Sequence, residues 1–291
     1  MRGAAPPRLD LAASGTLGPM YAVILATGSG TRLRPLRGGE EAAFQMAADG
    51  RTMLQQAVDR LVPVVDPMDV VVVADRRQGQ LVREQVPAAR IVTQPIDRGT
   101  ATALALALVS VDRPALETMV VLTADHDVER EDVLREQIVL AGEQAEGASL
   151  GIEQPLITFA IQPTGADREL TYLEPSYNEA TRVGKYRLYR VNSVEPKPEP
   201  TRTRQLYESG TRYWNAGIYV WRQDAIVARL RRYTPLFTML EPAYRSELAL
   251  GAAYDQLQPV SIEEGVLVSA ARDGIVLTMP LEVGMREHAL A

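Results

Sequence analysis

The chain has 291 residues, a formal net charge of -6 and 46% hydrophobic residues. That composition supplies a core for one large domain or two small ones and excludes a disordered or collagen-like chain. It offers no basic field for nucleic acid, no cysteine for a disulfide, thiolate metal site or thiol nucleophile, and only His126 and His288 as histidines.

Residues 1–20 lack the continuous apolar core of a signal peptide and read as a flexible N-terminal tail. No stretch reaches the ~18–20 apolar residues of a membrane span, so a cytoplasmic protein without a membrane partner is expected. Among the 31 basic residues only Lys185 and Lys197 are lysine. Any chemistry that needs a lysine therefore has two candidates.

In chain order, Tyr21–Ala26 is a short apolar run that stops at a glycine-rich segment, the mark of a buried strand. Thr52–Leu61 has helical apolar spacing, with Thr52 as its N-cap. Val70–Ala74 is a second buried strand, Gln78–Gln85 a helix, Ala89–Thr93 a strand and Thr100–Val111 an Ala/Leu-rich helix. Met119–Leu122 is a strand ending at Thr123-Ala124-Asp125-His126, and Glu131–Ala145 is a helix. Strands alternating with helices imply βαβ units in a doubly wound, mostly parallel sheet. Ligand sites in such sheets lie at the carboxyl ends of the strands.

The second half reads differently. Leu156–Gln162, Tyr186–Val194, Tyr213–Trp221 and Gly274–Pro280 are strand-like, a helix is expected from about Asp224 to Tyr233, and Glu195–Pro200 reads as a proline-rich, non-helical loop. The expectation is a single α/β domain over residues 21–291, with a mixed sheet that is partly antiparallel in its second half.

Leu25–Pro35 reads LATGSGTRLRP. Gly28 and Gly30 let backbone N–H groups approach an anion closely, and Arg32 follows as a phosphate clamp. The loop is neither a Walker A motif nor the dinucleotide fingerprint. Taken alone, it equally suits an ordinary strand-to-helix turn.

The longer string resembles the L-A-G-G-x-G-T-R-L-x-P-L signature of sugar-phosphate nucleotidyltransferases, and further segments match in order. Gln94–Ala105 (QPIDRGTATALA) resembles the E-P-x-x-R-N-T-A-P-A-I-A segment of mannose-1-phosphate guanylyltransferases, and Leu122–His126 resembles their L-P-A-D-H. Ile157–Thr164, Val191–Pro198, Trp214–Gly217, Ser261–Val266 and Val283–Glu287 resemble T-F-G-I-x-P-T, V-x-x-F-x-E-K-P, W-N-S-G, S-I-D-Y-A-V and F-G-W-S-D. The resemblance runs from about Tyr21 to the C-terminus.

It implies a Rossmann-like, GT-A-like fold and Mg²⁺-dependent transfer of a nucleotidyl group from a nucleoside triphosphate, GTP by analogy, to a sugar 1-phosphate, mannose 1-phosphate by analogy. Leu25, Ala26, Gly28, Ser29, Gly30, Thr31, Arg32, Arg98 and Thr100 would bind the nucleotide. Arg32 and Asp125 would be catalytic, Asp125 and Glu287 would hold Mg²⁺, and Lys197, Asn215 and Gly217 would bind the sugar phosphate. Each has a structural alternative: Asp125 or Thr100 as a helix cap, His126 as a hydrogen-bonding residue, Asn215 in a turn, Trp214 and Trp221 in the core. A homodimer is the default expectation for such an enzyme.

The chain departs from the family pattern at several points. The lysine of P-K-Q falls on Ala43, the R-N-T asparagine on Gly99, and the following proline on Thr102. Both glycines of G-Y-G-Y-I are lost in Glu169–Leu173, the glutamate of E-K-P falls on Pro196, and Met285 and Glu287 stand for the tryptophan and aspartate of G-W-S-D. Arg34 and Arg37, two extra arginines beside the loop, are the candidates to replace the lysine. The chain stops shortly after Glu287, so no C-terminal β-helix or cupin domain is expected. The alternative is a catalytically impaired protein of this fold that binds nucleotide or sugar nucleotide without turnover.

Overall fold

The computed structural model describes residues 18–27, 42–44, 46–47, 49–281 and 285–287. Its strands are β1 Met20–Ala26, β2 Val70–Asp75, β3 Arg90–Gln94, β4 Thr118–Thr123, β5 His126–Val128, β6 Leu156–Ile161, β7 Thr171–Val183, β8 Tyr186–Pro196, β9 Tyr213–Arg222, β10 Val276–Pro280 and β11 Met285–Glu287. Its helices are α1 Met53–Leu61, α2 Gly79–Gln85, α3 Thr100–Ser110, α4 Glu131–Glu146, α5 Pro200–Glu208, α6 Gln223–Tyr233, α7 Leu236–Leu240, α8 Glu247–Gln256 and α9 Val268–Arg272.

Nine strands form one sheet in the order β3-β2-β1-β4-β9-β6-β10-β8-β7, and β5 pairs with β11 in a separate ribbon. The β3-β2-β1-β4 block is parallel, as the βαβ pattern predicts. The second half is mixed: β9 runs antiparallel to both β4 and β6, and β10 runs parallel to β6. A further pairing of β7 with β9 closes the strands β9-β6-β10-β8-β7 into a ring.

Strand β1 is buried along its whole length because both of its faces are covered. Ala22 and Ile24 pack with Leu54, Leu61 and Leu134 from α1 and α4. Tyr21, Val23 and Leu25 pack with Leu104, Ile226 and Tyr254 from α3, α6 and α8. Helices on both faces make the sheet doubly wound. Thr52 caps α1 in a full capping box: its hydroxyl accepts from the Gln55 amide at 3.3 Å, and its own amide donates to Gln55 Oε1 at 3.1 Å.

Three expectations need correction. The tail does not extend to residue 20, because Met20 opens β1 and the Gly18 amide donates to the Glu146 carboxylate at 3.0 Å. Residues 1–17 lie outside the described residues. The segment Glu195–Pro200 is not a plain loop: β8 runs through Pro196, and Pro200 opens α5 at the first helical position, where its missing N–H costs nothing. The sequence reading also omitted β7 altogether.

Candidate functional site

The carboxyl ends of β1 and β4 are tied together, since the Ala124 amide donates to the Leu25 carbonyl at 3.3 Å. This joins the root of the glycine-rich loop to the turn that carries Asp125. Leu25 and Ala26 are buried core residues, so only their backbone is available to a ligand. Gly28, Ser29, Gly30, Thr31, Arg32, Arg34 and Arg37 lie outside the described residues.

Asp125 does not cap a helix. The short strand β5 follows it, and α4 begins only at Glu131 with Arg130 at its N-cap. Asp125 Oδ1 is inaccessible to solvent and has no hydrogen-bond partner among the described residues. An unmatched carboxylate oxygen costs free energy, and a bound cation offsets that cost. The residues therefore fit a divalent cation. Mg²⁺ suits them, because it takes one or two carboxylates and completes its shell with phosphate oxygens and water. Among the described residues no group of three or more histidine, aspartate or glutamate side chains forms a cage of its own. In the β5–β11 ribbon Glu287 pairs directly with His126, which brings the backbone of the second expected metal residue beside the first.

His126 is buried, and its Nε2 lies 3.3 Å from the Thr123 hydroxyl. Gly217 packs against the same ring: a Cβ built on it would meet Nε2 at 3.4 Å. Two motifs distant in sequence thus touch, and the touching residue takes φ +67°, where glycine is favoured.

On the nucleotide side, Arg98 engages the last turn of α8 and Thr100 the segment that follows it. Arg98 Nε donates to the Tyr254 carbonyl at 2.9 Å, and Thr100 Oγ1 accepts from the Ile262 amide at 2.9 Å. Gly99, rather than Thr100, occupies the N-cap of α3, with φ +82°. The Ala101 amide donates to the Val260 carbonyl at 3.1 Å. A Cβ on Gly99 would lie 2.3 Å from that carbonyl oxygen, so no side chain fits there.

On the sugar side, Asn215 is only 5% exposed. Its amide nitrogen donates to the Tyr219 hydroxyl and to Glu263 Oε1, each at 3.0 Å, and its carbonyl oxygen accepts from the Thr158 hydroxyl. The Tyr219 hydroxyl also donates to Glu263 Oε1 at 3.0 Å. The Asn215 amide is thus committed inside the protein rather than left open to hexose hydroxyls. Lys197 is exposed, takes φ +41° and makes no ion pair among the described residues. Trp214 and Trp221 are core residues. Glu169 is exposed and pairs with Arg168 at 3.3 Å.

Ala43, at the position of the family's lysine, lies in a short 3-10 turn, is 7% exposed and packs with Phe44 into the core. Sequence reading gave no role to Glu263, Tyr219, Thr158 or Arg60. Glu263 lay within the matched SIEEGV string, but its partners are distant in sequence and leave no local signal.

A profile of the family described as "Nucleotidyl transferase" matches residues 21–243. The mannose-1-phosphate guanylyltransferase of Escherichia coli (strain K12) is 28% identical over 268 residues, covering 88% of this chain and 53% of that protein. The alginate biosynthesis protein AlgA of Pseudomonas fluorescens is 30% identical over 224 residues, covering 74% of this chain and 44% of that protein. The chain spans about half the length of the curated relatives it matches. Among solved structures, one titled mannose-1-phosphate geranyltransferase, from Thermus thermophilus, superposes with a TM-score of 0.75 at 26% identity, covering 94% of this chain and 77% of that one. One titled mannose-6-phosphate isomerase, from Helicobacter pylori, has a TM-score of 0.73 at 17% identity over 92% of this chain and 100% of that one, a likeness of fold alone. The family profile spans most of the sheet and the turn that carries Asp125, and the chain belongs to the nucleotidyl transferase family.

Proposed function

We propose that the chain is a Mg²⁺-dependent sugar-phosphate nucleotidyltransferase, with GTP and mannose 1-phosphate as its first-choice substrates. The observation that carries this reading is the buried Asp125 Oδ1, without a hydrogen-bond partner among the described residues, at the carboxyl end of β4 in the turn that meets Gly217 and Glu287. In the reaction, a phosphate oxygen of the sugar 1-phosphate attacks the α-phosphorus in line. A new P–O bond forms, the bond to the bridging oxygen breaks, and pyrophosphate leaves. Such chemistry depends on positioning and charge neutralisation rather than covalent catalysis.

Asp125 and Glu287 would hold the cation, which supplies charge neutralisation at the phosphates. Gly28, Ser29, Gly30 and Thr31 would cradle the nucleotide through backbone N–H groups, and Arg32 would offset the charge on the leaving pyrophosphate. Arg98 and Thr100 support the nucleotide side through their bonds to residues 254–262. Lys197 would contact the sugar phosphate, and Gly217 would hold β9 close against His126 beside the Asp125 turn. Asn215 would hold the β9 segment in place through its buried network rather than contact the sugar itself. No described helix is long and apolar enough to cross a membrane. A cytoplasmic location is part of the proposal. A homodimer completes the proposal.

One observation favours a second reading. Ala43 sits in the core where the family's lysine would stand, so the phosphates lack that cation. Losing one preorganised group of this kind costs on the order of 10²–10³ in rate. A chain that binds without turnover would result if no arginine replaced it. Pyrophosphate release, measured with GTP, ATP, UTP, CTP and dTTP against mannose 1-phosphate and glucose 1-phosphate, separates the readings. Release that requires both substrates and Mg²⁺ supports the enzyme. Nucleotide binding without release from any pair overturns it in favour of the second reading.

A further inference from the structure

Helix α1 carries a residue that its apolar face does not explain. Arg60 is 2% exposed, in a helix whose other buried side chains are apolar. A buried guanidinium is strongly unfavourable unless its donors are matched. Arg60 Nη2 donates to the backbone carbonyl of His126 at 3.0 Å, and Nε donates to Glu131 at 3.3 Å. The Arg60 carbonyl accepts from Arg135 Nη1 at 3.3 Å, and the same nitrogen donates to Glu131 at 3.1 Å. One side chain thus joins α1, the turn after β4 and the start of α4.

His126 immediately follows Asp125, so the Arg60 bond fixes the backbone on which the candidate cation ligand stands. The same turn is also held by the Ala124 bond to the Leu25 carbonyl and by the β5–β11 ribbon, and Arg60 adds its tie to α1 and α4. We propose that Arg60 is a positioning residue for the divalent-cation site, acting through the His126 carbonyl on Asp125. The inference rests on the reading of Asp125 as a cation ligand. An arginine suits the task because its fork reaches two acceptors at once. A lysine keeps the charge but grips at one point.

The test is a Mn²⁺ titration of the full chain, followed by water-proton relaxation with GTP at saturation. Arg60→Gln is expected to weaken Mn²⁺ binding by about 10–100-fold, the usual cost of losing a group that orients a metal ligand. Arg60→Lys is expected to recover part of that loss. Glu131→Ala leaves the His126 bond in place and is expected to change binding less than about threefold. In an Asp125→Asn background, Arg60→Gln is expected to add nothing further.

Wild-type binding in a folded Arg60→Gln chain overturns the proposal, as does an equal effect of Arg60→Gln with and without Asp125. Unfolding of both Arg60 variants also overturns it, by making the residue a purely structural strut. A folded wild-type chain that binds no Mn²⁺ overturns the reading of Asp125, and the inference falls with it.

Discussion

Gly217 stands directly against the ring of His126, close enough that a Cβ on the glycine would lie 3.4 Å from Nε2. The contact joins the middle of β9 to the turn carrying Asp125, which brings two remote sequence motifs together. Gly217→Ala would place a side chain at φ +67° and press it on the imidazole. The expected cost is about 1–2 kcal/mol, read as a lower urea midpoint with an unchanged slope. The imidazole resonances of His126 should move in the same variant. A variant as stable as the wild type with unmoved resonances would show that the contact is loose.

Gly99 offers a sharper test, because the family's residue at this position is asparagine. The glycine has φ +82°, and the Val260 carbonyl fills the space where a Cβ would stand. Gly99→Asn should therefore destabilise the chain by about 3 kcal/mol or more instead of restoring a lost contact. Thermal unfolding decides the matter, and Gly99→Ala should fall in the same direction. A stable asparagine variant would mean that residues 260–262 can move away from α3.

Much of this arrangement was legible in the sequence for a simple reason. Strands β1, β2 and β4 are buried on both faces and read as unbroken apolar runs. Strand β7 was not legible: it contains Pro175, leaves most of its far half uncovered, and shifts register twice against β8. Helix α5 was hidden by a rule applied too widely, since proline is excluded from a helix interior but not from its first turn. The motif order located the Asp125 turn and the Asn215 segment. It could not reveal that Asn215 is saturated by Thr158, Tyr219 and Glu263, because Thr158 arrives from the neighbouring strand β6 and Glu263 from a helical turn far along the chain, contacts that only folding creates.

That network makes its own prediction. Glu263 Oε1 accepts from both Asn215 and Tyr219 inside the protein. Glu263→Leu leaves two buried donors without an acceptor, at about 1–3 kcal/mol each. Glu263→Gln keeps an acceptor and should lose about 1 kcal/mol or less. Urea unfolding of the pair should separate them clearly. Equal stability of the two variants would mean that water replaces the carboxylate.

Asp75, at the carboxyl end of β2, should govern part of the pH dependence of stability. Burial holds its carboxyl above the ordinary aspartate range, and the nearby charge of Asp97 adds to this against the hydrogen bond from Gln94. The folded chain therefore keeps this proton to higher pH than the unfolded chain. Across the window from the ordinary aspartate pKa to the raised folded value, stability falls as pH rises. Asp75→Asn keeps an acceptor for Gln94 Nε2, now 2.8 Å from Oδ1, and removes the charge. It should raise Tm at about pH 7.5, with the gain disappearing near pH ~2.5, where the wild-type carboxyl is protonated in both states. A gain that does not vary with pH would assign the effect to packing.

Lys197 is where stability and activity should part. It lies between Pro196 and Pro198, exposed, with φ +41°, a conformation that costs a lysine about 1 kcal/mol relative to glycine. A residue held this way without an ion pair among the described residues is readily explained if its charge serves a ligand. Lys197→Gly relieves the strain but loosens the unfolded chain, so a gain of up to about 1 kcal/mol is expected. The same change removes the cation proposed to meet the sugar phosphate, and turnover should fall on the order of 10²-fold. Lys197→Ala should lose the same activity with no gain in stability. Unfolding curves and pyrophosphate-release rates for both variants complete the test. If Lys197→Gly turned over as fast as the wild type, the lysine would have no part in binding the sugar phosphate, and its backbone conformation would be a consequence of the flanking prolines alone.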